Sequence, residues 1–161
     1  MGLAFKLKHY FFNAFRELFV HHHGSLEFRA RVFALVLMSY EHIYDDYFDK
    51  LKELATKIYK DDEDRANLLV LLTKEFTEKT NERHICIDET IAIILKELKI
   101  APRFAKKIDI ELLKELSFLS HDKDINDFQT KILEFLSTTK DETLHTNKEK
   151  IEKDEQLAKG S

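Results

Sequence analysis

The chain has 161 residues, 43% of them apolar, with three glycines, one proline and a formal charge of −4. So little Gly and Pro excludes an all-β fold built on tight turns, and abundant Leu, Lys, Glu, Ala and Ile predict an all-α one. The 26 basic side chains are spread among 30 acidic ones, which excludes a general nucleic-acid binder, because phosphate contacts need clustered cations.

This length predicts a single compact domain, and the patterning divides it into about seven helices. Residues 3–20 read as an amphipathic helix. Phe5, Phe12, Phe15 and Phe19 fall near one side and Lys6, Asn13, Arg16 and Glu17 near the other, while Leu7, Tyr10, Phe11 and Leu18 widen the apolar arc. Such a helix caps the core, fills a partner's groove or lies in a membrane interface. Phe5, Phe11, Phe12, Phe15 and Phe19 are therefore a candidate partner or membrane surface. The charges that interrupt this stretch exclude a secretory signal peptide. His21, His22 and His23 read as a polar linker or as a metal-chelating tract, although three consecutive rings point in different directions and would need further ligands. Gly24 is expected to end the first helix and Ser25 to cap the next, so residues 1–24 form an N-terminal helix and linker.

The stretch VFALVLMSY, residues 32–40, is apolar on every side of the second helix, and a helix of that kind is enclosed by others. It is too short to cross a bilayer, which takes ~20 apolar residues. After EHIYDD comes a third helix to about Lys60, where Tyr47, Leu51, Leu54 and Ile58 make one buried stripe. Asp61 and Asp62 are expected to cap a fourth helix over residues 63–80, with Leu68, Leu69, Leu71, Leu72 and Phe76 inside. A short polar linker, residues 81–84, leads to a fifth helix over 87–98 that buries Ile91, Ile94, Leu95 and Leu98. The single cysteine, Cys86, excludes an internal disulfide, fits a reducing cytoplasm, and between two isoleucines reads as a buried, inert thiol.

Pro102 ends that helix and Phe104 plugs the corner. Asp109 should cap a sixth helix to Ser120, with Ile110, Leu113, Leu116 and Leu119 inward and Leu112 and Phe118 widening the arc. The loop 121–127 leads into a seventh helix ending near Thr139, which buries Phe128, Ile132, Phe135 and Leu136. The helical domain thus spans residues 25–139. Residues 140–161 have only Leu144, Ile151, Leu157 and Ala158 as apolar side chains, which predicts a flexible, mobile tail or a frayed charged helix.

Shifted by 81 residues, LMSYEHIYDDYFDKLKEL aligns with FLSHDKDINDFQTKILEF. Ser39 falls on Ser120, Glu41 on Asp122, Asp46 on Asp127, Tyr47 on Phe128, Lys50 on Lys131, Leu51 on Ile132 and Glu53 on Glu134. Each half therefore reads as a helix, an acidic loop and a second helix. The two helices of residues 32–40 and 110–119 are expected to lie side by side at the centre. This doubled pattern over residues 26–139 resembles the tellurite-resistance TerB family, whose fold also forms the N-terminal cytoplasmic domain of DjlA-type co-chaperones. The stretch FRARVFALVLMSYEHIYDDYFDKLKELA is the closest match. The family's loops read Asp-Gly before an apolar residue and acids; here the equivalent pairs are Glu41-His42 and Asp122-Lys123.

The resemblance implies calcium-type metal binding at the loops, which makes Glu41, Asp45, Asp46, Asp122, Asp124 and Asp127 the candidate metal ligands and a divalent cation the candidate cofactor. Hard cations take several carboxylate oxygens. Acids before a helix also serve N-capping and the helix dipole without any metal, and DKDIND lacks the glycine and distal glutamate of an EF-hand loop. No nucleophile elbow, Gly-rich phosphate loop or His-Pro-Asp motif occurs. The expected function is a non-enzymatic, cytoplasmic protein-interaction module of TerB-like type, related to stress or chaperones. The alternatives are a metal-binding stress-response protein and a peripheral membrane adaptor acting through residues 3–20.

Overall fold

A computed structural model describes residues 24–78 and 83–159. The expected N-terminal helix with its five phenylalanines, the histidine tract and residues 81 and 82 of the expected linker lie outside the described residues; Arg83 and His84 already belong to the next helix. Within them the fold is all-α: seven α-helices and one 3-10 segment, with no strand. The helices are α1 (Gly24–Met38), α2 (Asp45–Ile58), α3 (Glu63–Glu78), α4 (Arg83–Ile100), α5 (Ile110–Leu116), α6 (Lys123–Thr146) and α7 (Lys148–Lys159). The 3-10 segment, Pro102–Lys107, follows α4.

α1 is the axis of the domain. Every residue from Val32 to Met38 is buried, together with Leu26, Phe28, Ala30 and Tyr40, and α3, α4, the 3-10 segment, α5 and α6 all pack on it. Its principal neighbours are α3 and α4, so α5 is one wall among several rather than an equal central partner. The reason is length: α5 stops at Leu116 and buries only Leu113 and Leu116. Gly24 and Ser25 are the first residues of α1 and not flanking caps.

Of the expected acid caps, Asp62 and Asp109 take that role, whereas Asp61 adopts φ 64° in the turn before the helix. Asp62 Oδ1 accepts the Arg65 amide at 3.1 Å, and Asp109 Oδ1 accepts that of Leu112 at 3.2 Å. Each satisfies one of the orphan donors of a helix start. Leu71 and Leu95, expected inside, are exposed; they sit one helical step off the stripes Leu68–Leu72 and Ile94–Leu98 that face α1. Cys86 is buried.

Arg31 ties α1 to its neighbours. Its Nη2 reaches Glu27 Oε1 at 3.2 Å and its Nε reaches Glu97 Oε1 of α4 at 3.1 Å, while its guanidinium lies 4.3 Å from the Phe76 ring of α3. Burial raises the Glu97 carboxyl above its ordinary 4.5, Arg31 opposes this, and Glu27 adds to it. A carboxyl whose pKa rises on folding favours the protonated native state. Its contribution to stability is therefore greatest at low pH and declines as pH rises from 4.5 through the raised value. Glu97→Gln, which keeps an oxygen for Arg31, should flatten that part of the stability profile in urea melts at a series of pH values.

Residues 140–159 are helical and packed, rather than the separate flexible tail or frayed helix expected beyond residue 139. α6 continues through residue 140 to Thr146, and α7 follows after Asn147. Leu144 packs against the core and Ile151 is buried. Their spacing of seven returns them to one face, which lies against the 3-10 segment. Lys140 Nζ donates to Ile108 O at 2.7 Å, and Lys106 pairs with Glu155 at 2.6 Å. Ile151→Ala should cost about 2 kcal/mol, the low end for a large-to-small change. Leu157, 73% exposed, should tolerate Ala within about 0.5 kcal/mol in the same denaturation series.

Candidate functional site: the paired loops

The two helix–loop–helix units meet at residues 39–44, between α1 and α2, and residues 117–122, between α5 and α6. Their junction is a buried polar network. Gln129, in the first turns of α6 and only 1% exposed, donates from Nε2 to Ser39 Oγ at 2.9 Å and accepts the Phe118 amide on Oε1 at 2.7 Å. Ser39 Oγ in turn donates to Val36 O. From the other side, the Tyr40 hydroxyl donates to Leu116 O at 2.7 Å and accepts the Leu119 amide at 3.2 Å. One side chain from each unit, Tyr40 and Gln129, thus satisfies the backbone where α5 ends, groups that would otherwise be costly to bury.

The serines do not follow the register of the sequence alignment: Ser120, aligned with Ser39, is not buried and accepts the Asp122 amide at 3.1 Å. Ser117, three residues before Ser120, takes the part that Ser39 plays: both are buried, and the Ser117 hydroxyl donates to Leu113 O at 2.8 Å. Gln129 was detectable in the sequence, because residues 129, 132, 133 and 136 share one helix face, and all four are buried. Phe128 lies off that face. It is 40% exposed rather than buried.

Flanking the network, in the two loops and the first turns of α6, are four exposed apolar side chains: Tyr44 (56%), Phe118 (44%), Leu119 (37%) and Phe128. Leu119 was expected inside as a continuation of α5, but the helix has already ended. The aromatic cluster is continuous: His42 packs edge-on to Tyr44 at 4.5 Å, Tyr44 to Tyr47 at 5.6 Å, and Tyr47 against Tyr40 at 4.4 Å. Burial, with Tyr40, Tyr44 and Asp46 nearby, raises the Tyr47 phenol above 10.0, so it remains a neutral donor. Phe118 adopts φ 62°, a left-handed conformation that costs a bulky residue about 1 kcal/mol or more.

The six candidate ligands are spread over the loops and the helix starts that follow them. Glu41 is exposed in the first loop, and Asp45 and Asp46 are exposed in the first turn of α2. Asp122 caps α6, its Oδ1 accepting the amides of Asp124 at 2.9 Å and Ile125 at 3.3 Å. Asp124 and Asp127 are exposed within α6 rather than in a loop. Among the described residues, no three His, Cys, Asp or Glu side chains converge where they could hold a metal ion. No described helix is long and apolar enough to cross a membrane.

Comparison with known protein families, with curated proteins and with solved structures finds no match. The functional reading therefore rests on the geometry.

Proposed function

We propose that this chain is a non-enzymatic, TerB-like protein-interaction module whose contact surface includes the exposed side chains Tyr44, Phe118, Leu119 and Phe128. The observation that carries the reading is Phe118. A large apolar side chain is kept exposed in a backbone conformation that disfavours it, where a glycine or asparagine would be more stable. Residues held against local preference cluster at sites of function.

The chemistry of the partner follows from the surroundings. Residues 39–46 and 117–127 contain six acids and one cation, Lys123. An apolar centre inside an acidic rim fits an apolar polypeptide segment with basic flanks, most simply an amphipathic helix. On this reading the loop acids steer a protein partner.

Phe118→Asn should keep or raise stability, by up to about 1 kcal/mol, while abolishing partner capture. The test places a photo-crosslinking residue at position 118, at 128 and, as control, at 157, in extracts of the source cell. The reading predicts one discrete adduct from 118 and 128, absent from 157 and weakened by salt. Identical patterns from all three positions would refute it.

A further inference from the structure

At the opposite end of α1 lies a second group of side chains that the interaction surface does not use. The start of α1 abuts the 3-10 segment: a Cβ on Gly24 would lie 3.4 Å from the Phe104 ring, and Phe28 packs on Phe104 at 5.5 Å. Through this contact Arg29 of α1 comes close enough to Lys107 of the 3-10 segment to act on its charge, as Arg103 and Lys106 also do. The two guanidiniums are seated on aromatic rings, Arg29 5.5 Å from the centre of Tyr59 and Arg103 5.0 Å from that of Phe104. Stacking fixes the plane of a guanidinium and leaves its N–H edges free for a ligand.

Arg31 and Arg65 each hold carboxylates, but Arg29, Arg103 and Lys107 make no ion pair among the described residues, and Arg29 Nε is buried without a hydrogen-bond partner. Only Lys106 is neutralised, by Glu155 of α7. Partial burial and then the Arg29 guanidinium draw the Lys107 ammonium below its usual range; Glu155 opposes this, and Lys106 and Arg103 add to it. Positive charge is therefore crowded here, in a chain that is acidic overall.

We propose that Arg29, Arg103 and Lys107 form a binding site for a phosphate-bearing anion, with the Lys106–Glu155 pair at its edge. A monocarboxylate would satisfy one guanidinium and leave the other cations repelling each other. A phosphate dianion or pyrophosphate offers enough charge and oxygens for two forks and an ammonium. The site lies ~15–20 Å along α1 from the paired loops, from the rise of 1.5 Å per residue, so it stands independently of the interaction reading.

The test is nitrogen-15 NMR on the full chain, titrated with inorganic phosphate and pyrophosphate at constant ionic strength against chloride. Saturable shifts are expected at the Arg103 Nε–H signal and at the amides of residues 103–107. Arg103→Gln and Lys107→Gln, both outside the core, should each weaken binding by about tenfold. Glu155→Gln, which frees Lys106, should tighten it, so one variant gains what the others lose. Vesicles of phosphatidylcholine and phosphatidic acid in equal parts form the second arm. Flotation that needs Arg103, without response to the soluble anions, would assign the phosphate to a lipid headgroup. No saturable shift and no flotation, or unchanged binding by Arg103→Gln, would overturn the proposal.

Discussion

Leu35→Ala is expected to lower the free energy of unfolding by about 2–5 kcal/mol, measured by chemical denaturation. Leu35 is fully buried in the middle of α1, where neighbours on every side prevent the structure from collapsing into the space left behind. The cost of such a change grows with the residual cavity, and α1 is the element least able to shift, because α3, α4, α5, α6 and the 3-10 segment all rest on it. Against a total stability of roughly 5–15 kcal/mol for a domain, this one substitution removes a large part.

Gln129→Ala should be nearly as harmful, at about 2–4 kcal/mol, though it deletes an exposed-looking polar residue from an amphipathic helix. It opens a cavity and strips partners from the Ser39 hydroxyl and the Phe118 amide together. Gln129→Leu, which fills the space, should recover the cavity part only. The difference between the two variants separates packing from hydrogen bonding, and both should also loosen Phe118 and so weaken partner capture.

The architecture was legible where hydrophobicity is periodic or all-round. Residues 32–38 are enclosed because no polar side chain interrupts them, and Asp62, Asp109 and Asp122 cap helices because a short carboxylate before an apolar run can do little else locally. The repeat was legible as two helix–loop–helix units, but its register was not, since the buried serines that bond back to their own helices are Ser39 and Ser117, while Ser120 accepts the Asp122 amide at 3.1 Å on the surface.

The end of α5 was the least legible point. Leu119 continues the spacing of Leu113 and Leu116, and nothing local to that stretch stops the helix. It stops because Tyr40 and Gln129, distant in sequence, supply the hydrogen bonds that another turn would have made. That tertiary substitution turns Phe118 and Leu119 outward and creates the candidate surface. The binding surface and the failure of helical periodicity therefore have one cause.

Native-state hydrogen exchange at the Phe118 and Leu119 amides tests this most directly. Neither amide bonds to backbone; one donates to Gln129 Oε1 and the other to the Tyr40 hydroxyl. If the two loops are locked by these side chains, both amides exchange at rates approaching global unfolding. Gln129→Leu should then release Phe118, and Tyr40→Phe should release Leu119. Exchange of both amides at the rate of an open loop in the unsubstituted protein would contradict the paired-loop account.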